Sequence, residues 1–154
     1  MEQTKPVKRH VALQSFSREH RFELLIGWKI RQGFRKNVSL SRIKKYTDWV
    51  FKNYVKPHFE NEEKYILPLL DESDKIRKRI ITEHRRLERL FNDNEDVKRA
   101  LSLIEEELDA HIRYEEKVLF EKIQEIATEA QLEEIQRFHY EIKENENWND
   151  KFWE

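Results

Sequence analysis

The chain of 154 residues contains no cysteine, two glycines and three prolines. The missing cysteine excludes disulfides and cysteine-ligated zinc or iron–sulfur sites. The scarcity of glycine and proline leaves almost no turn material for a sheet protein. No apolar run is long enough to span a bilayer, and the start, "MEQTKPVKRHVALQSFSREH", has no apolar targeting segment, so a cytoplasmic protein is expected. Neither sign of charge is in excess: 30 basic and 31 acidic side chains leave a net charge of -1, with the signs interleaved. That balance argues against nucleic-acid binding, which would need a basic patch. The short runs Arg42-Ile43-Lys44-Lys45 and Ile76-Arg77-Lys78-Arg79 read as solvated helix faces.

What the chain does have is helix-forming composition. Glu, Lys, Arg, Leu and Ile dominate, with 40% charged and 38% hydrophobic residues, so the core is expected to be thin. The length suits one domain spanning residues 1–154. Residues 1–13 read as an N-terminal arm. A first helix is predicted from Ser15 or Ser17, with a stripe of Phe22, Leu25, Ile26, Ile30 and Phe34 and with Gly33 near its end. After the turn "NVSLS", a second helix runs from Leu40 to Leu67, and Pro57 is expected to kink it. A third covers Lys75 to Phe91 and a fourth Val97 to Ile126. Thr128 and Gln131 fit a capping box for a short fifth helix, Glu129 to Ile142. The aromatic tail with Trp148, Phe152 and Trp153 is expected to dock on the helices or on a partner. Short turns imply antiparallel neighbours, so the fold class is all-α: an up-down four-helix bundle over residues 14–127, followed by a short helix and tail over 128–154.

One heptapeptide occurs twice. "HFENEEK" begins at His58 and "HIRYEEK" at His111; both spell H-x-x-x-E-E-K. Four residues separate His58 from Glu62 and His111 from Glu115, which puts each pair on one helix face, about 5–6 Å apart at Cβ. His84 has Glu88 at the same spacing. His20, His58, His84 and His111 fall one per helix, and residues equidistant from a turn share a level along antiparallel helices. The midpoints of the pairs lie in or near the turns, so all four imidazoles can meet in the core. Imidazoles with carboxylates suit iron, manganese or zinc, and the number of donors favours two ions over one. Glu63 and Glu116 read as solvated neighbours, and His10 and His139 as packed or solvent-facing histidines outside the cluster.

With these residues in place the chain resembles the hemerythrin family, specifically the small bacterial stand-alone hemerythrin-like (HHE cation-binding) proteins, over roughly residues 10–140. "SREH" at 17–20, "HFENEEKYILP" at 58–68, "TEHRRLERL" at 82–90 and "HIRYEEKVLF" at 111–120 look like the family's ligand segments. The resemblance implies two non-heme iron ions with an oxo or hydroxo bridge, manganese or zinc being alternatives. It also implies His20, His58, His84 and His111 as terminal ligands and Glu62 and Glu115 as bridges. The oxygen-carrying members have H-x-x-x-H on the third helix, where this chain has Glu88; as a ligand, Glu88 would favour ferric iron and count against reversible oxygen carriage. The ferritin-like Glu-x-x-His signature is missing, because Ser17, Val55, Ile81 and Leu108 precede the four histidines by three.

Three functions follow as expectations. The first is a dimetal protein that binds or senses oxygen, nitric oxide or iron, its partner a small diatomic ligand, with no nucleic acid and no membrane. The second is a di-iron oxidoreductase turning over ferrous iron, peroxide or nitric oxide. The third, a metal-free helical interaction module, leaves the level-matched histidines unexplained. The residues do not separate binding protein from enzyme.

Overall fold

A computed structural model describes residues 8–143 and 147–154. Five helices and no strand occur among the described residues. They are α1 (Val11–Arg35), α2 (residues 40–69), α3 (Lys75–Phe91), α4 (residues 97–126) and α5 (Glu129–Phe138).

Side chains cap four helices, which start at the predicted Leu40, Lys75, Val97 and Glu129. Ser39 accepts from the Arg42 amide, Asp74 from Ile76 and Arg77, Asp96 from Arg99, and Thr128 and Gln131 close a reciprocal capping box. The start of α1 differs from expectation. The helix begins at Val11, within the stretch read as an arm, because the His10 imidazole acts as the cap: its Nδ1 accepts from the Ala12 amide at 3.0 Å. At the far end, Gly33 lies inside α1, and Asn37 takes the positive φ of 54° after the helix. The fifth helix stops at Phe138, four residues short of the predicted end, since His139 turns to extended backbone and is buried against α1.

Pro57 does not stop α2. A π-helical turn, Phe51–Val55, precedes it, and the Lys56 amide bonds the Phe51 carbonyl five residues back. The wider turn relieves the ladder just where proline contributes no donor. Two more π turns begin within the repeated motifs, Glu62–Ile66 in α2 and Glu115–Leu119 in α4.

The apolar core forms two clusters. One holds Phe22, Ile26, Val50, Tyr54, Phe59, Leu87, Leu108 and Ile112; the other holds Leu13, Phe16, Ile66, Leu67, Ile80, Leu119 and Phe120. Along α1 the chain passes from the second cluster to the first, along α2 back again, and α3 and α4 repeat the passage. Each crossing carries a buried histidine at the boundary: His20, His58, His84 and His111. The C-terminal tail docks on the first cluster. Phe152 is buried there, Trp148 and Trp153 pack on Tyr46, and Asp150 pairs with Arg42 at 2.6 Å.

The two glycines give opposite expectations. A Cβ at Gly33 would stand 2.6 Å from Ile43 Cδ1 and 3.1 Å from Phe152, both in the packed core. A Cβ at Gly27 would meet only ordinary contacts, the nearest 3.6 Å away at the Glu105 carbonyl. Alanine gains about 1 kcal/mol of helix propensity over glycine, whereas overpacking a core costs about 1–3 kcal/mol. Gly33→Ala should therefore lower the melting temperature and Gly27→Ala raise it, by about 2–4 °C per kcal/mol. Thermal melts check the pair; shifts of the same sign for both would contradict the packing described.

Candidate metal centre

Six fully buried side chains from α1, α2, α3 and α4 converge between the two apolar clusters: His20, His58, Glu62, His84, His111 and Glu115. They form two overlapping groups that could each hold a metal ion. The first half-site is His20, His58, Glu62 and Glu115; the second is His84, His111, Glu62 and Glu115. In each group the donor atoms lie within 4.8 Å of one another. Glu62 and Glu115 belong to both.

The halves repeat one geometry. His20 and His58 stand edge to face with centroids 4.8 Å apart, His84 and His111 likewise at 4.9 Å. His20 Nε2 lies 2.9 Å from Glu115 and 3.4 Å from Glu62; His84 Nε2 lies 3.1 Å from Glu62 and 3.6 Å from Glu115. His58 and His111 each approach their own i+4 carboxylate at 3.3 Å. Flat apolar rings back the cluster: Phe120 stacks on His20 and Phe59 on His84.

The outer nitrogens are fixed as regularly as the inner ones. His58 Nδ1 donates to Glu19 at 2.6 Å, His111 Nδ1 to Glu83 at 2.7 Å, His84 Nδ1 to Glu63 at 2.8 Å and His20 Nδ1 to Glu116 at 2.8 Å. Every imidazole is thus held by a carboxylate on its outer edge and turns Nε2 inward, the arrangement that orients metal-binding histidines and raises their basicity. Sequence reasoning missed this role. Glu63 and Glu116 are not solvated neighbours; each reaches across to the histidine of an adjacent helix. Glu19 and Glu83 directly precede His20 and His84, and the signal that could have found them is the dipeptide Glu-His, once in "SREH" and once in "TEH".

Glu88 is not brought to the cluster. It is half-exposed on α3 and lines a surface hollow with Lys44, Lys52 and Lys56, while Leu87 takes the inward position and is 1% exposed. Adjacent residues point about 100° apart around a helix, so only one of the two can face the cluster. Glu23, three residues after His20, is the inward carboxylate the sequence reading overlooked. It is fully buried, neither of its oxygens has a hydrogen-bond partner, and Oε2 lies 3.8 Å from His58 Nε2. His139 lies outside both groups, stacked on Phe16 with Nε2 3.3 Å from Glu19; His10 caps α1.

Unshared charge defines the electrostatics. Burial by itself would lower the pKa of His20, but the carboxylates of Glu115, Glu116 and Glu62 outweigh it and hold the imidazole well above its usual 6.5. His58 and His84 are raised well above 6.5 against burial by the same kind of carboxylate neighbours. Burial and the nearby Glu115 push Glu62 up, yet His58 and His20 prevail and bring it down to about 2. Burial governs Glu23, whose carboxyl rises to about 7. Several inward atoms stay without partners, among them His58 Nε2, His111 Nε2, Glu62 Oε2 and Glu115 Oε2. Buried donors and acceptors left unpaired are costly, and cations in the two half-sites would engage these four. Imidazole and carboxylate donors fit iron, manganese or zinc.

Comparison with protein-family models, with curated proteins and with solved structures finds no match for this chain.

The pKa directions fix the pH response of the metal-free protein. The raised histidines contribute stability fully present below about 6.5 and lost as pH rises through their folded values. Glu62 and Glu63, both lowered to about 2, contribute stability present above about 4.5 and lost as pH falls toward 2. The chelator-treated protein should melt highest between about pH 4.5 and 6.5. A melting temperature that keeps rising above pH 8 would contradict the imidazolium–carboxylate pairing.

Proposed function

We propose that the chain is a dimetal-binding protein of the hemerythrin-like type, holding two non-heme iron ions and binding or sensing a small diatomic ligand such as oxygen or nitric oxide, or iron itself. Its four long helices then form an antiparallel up-down bundle around the centre, within a single domain. The observation that carries the reading is the pair of overlapping histidine–carboxylate groups, fully buried and sharing Glu62 and Glu115. A carboxylate shared between two donor groups is what a pair of adjacent cations needs, since its two oxygens can serve one ion each. The four alternating passages between the apolar clusters support the bundle.

When bound, iron supplies redox activity and coordination positions for a small ligand. The chain's own residues prepare for it. Glu19, Glu63, Glu83 and Glu116 hold the four Nδ1 protons, so each Nε2 lone pair can be directed inward once its proton leaves. Metal uptake must release those inner protons, so apparent affinity falls with falling pH. Phe16, Phe59 and Phe120 wall the histidines and exclude water. With Glu88 turned away from the cluster, its charge no longer argues against reversible oxygen binding.

Metal analysis with the absorption spectrum tests the reading. The protein should carry two metal ions per chain, with near-ultraviolet absorption when these are ferric. His58→Ala and His111→Ala should each lose that stoichiometry, whereas Glu88→Ala should keep it. Two ions retained in His111→Ala would overturn the assignment.

Metal should also stabilise the fold, because a species that binds only the folded state adds about 2.7 kcal/mol at a free concentration 100 times its dissociation constant. Chelation is therefore expected to lower the melting temperature by several degrees. An unchanged melt after verified metal removal would exclude a buried site.

A further inference from the structure

The two half-sites match closely except at one position. His20 corresponds to His84, His58 to His111, Glu62 to Glu115 and Glu63 to Glu116, while Glu19 and Glu83 precede the first member of each pair. Three residues after His20 stands Glu23; three residues after His84 stands Leu87. Both are buried and both face the cluster from their helices. A leucine there needs no explanation, because it belongs to the first apolar cluster. A carboxylate does: among the described residues both Glu23 oxygens lack any hydrogen-bond partner, and no lysine or arginine pairs with it. His58 Nε2 of the cluster stands 3.8 Å from Glu23 Oε2, and that nitrogen also lacks a hydrogen-bond partner. A cation between them would satisfy both.

We infer that Glu23 is a fifth protein donor to the first half-site, so that the two metal positions are unequal and ions load in order, first beside His20 and His58, then beside His84 and His111. This rests on the metal reading above. The first position is then served by His20, His58, Glu23, Glu62 and Glu115, three carboxylates and two imidazoles; the second has two of each. A hard divalent ion prefers the extra anionic oxygen, whereas the position beside Leu87 keeps fewer protein donors.

Cobalt(II) is a suitable probe, since its visible bands strengthen as coordination number falls. Titration of the metal-free protein should give two steps, the first tighter and weakly coloured. Glu23→Leu, which copies the second half onto the first, should weaken the tighter step by at least about tenfold, a ligand costing no less than the outer-shell partners whose loss costs 10–100-fold. The bands of the first equivalent should strengthen. Glu23→Gln keeps the side-chain shape and one neutral oxygen; it should weaken the step in the same direction, and it carries the test if Glu23→Leu fails to fold. If the wild type binds two ions and the folded variants leave both steps and both spectra unchanged, or bind more tightly, the fifth-donor inference is overturned while the dimetal reading stands. If the wild type takes up no cobalt, iron, manganese or zinc, both fall.

Discussion

Everything in this molecule accommodates one costly arrangement, a layer of ionisable side chains buried between two apolar clusters. Glu19, His20, Glu23, His58, Glu62, His84, His111 and Glu115 are all withdrawn from solvent. Removing such groups from water costs several kcal/mol each unless partners restore what water supplied. The imidazole–carboxylate pairs do most of that, and they draw on α1, α2, α3 and α4 at once, so no helix can leave without exposing a charge in the others. Removing one partner would strand the other, which ties the architecture to the cluster more tightly than apolar contact alone would.

The pairing scheme has a cyclic logic. Glu19 of α1 holds His58 of α2, Glu63 of α2 holds His84 of α3, Glu83 of α3 holds His111 of α4, and Glu116 of α4 holds His20 of α1. Each helix orients the histidine of the next, and the last returns to the first. Such a ring fixes helix order and register together, because a slip of any helix breaks two hydrogen bonds. The inner carboxylates are left to face the centre, where among the described residues only the histidines donate to them.

Helix content and most helix starts were legible in the sequence because local chemistry determines them: the Ser39, Asp74 and Thr128 caps and the apolar spacing act within a few residues. The four cluster histidines were legible because repetition at a fixed spacing is improbable without a shared purpose. What escaped were contacts set by neighbouring helices. Glu63 and Glu116 look like any charged residue of a solvated face until the histidine opposite is known. Glu88 and Leu87 could not be ranked, since either sits about one turn beyond His84 and only the helix's rotation against its neighbours decides which turns inward. His10 as a cap and the early end of α5 likewise depend on Glu129 and on the burial of His139 against Phe16.

The π turns at Glu62–Ile66 and Glu115–Leu119 carry a further implication. Each inserts one residue beyond the α-helical repeat, which rotates all that follows by about 100°. Leu67 and Phe120, five residues after the carboxylates, would stand about 140° from them in a regular α-helix and face inward beside them because of that phase step; Ile66 and Leu119, four residues on, share the carboxylates' face in either case. Across the buried layer, helices α2 and α4 therefore change phase from one apolar cluster to the other, and the shared carboxylates sit where the phases join. Without that step Leu67 and Phe120, both buried in the second cluster, would leave the helix face that carries the carboxylates.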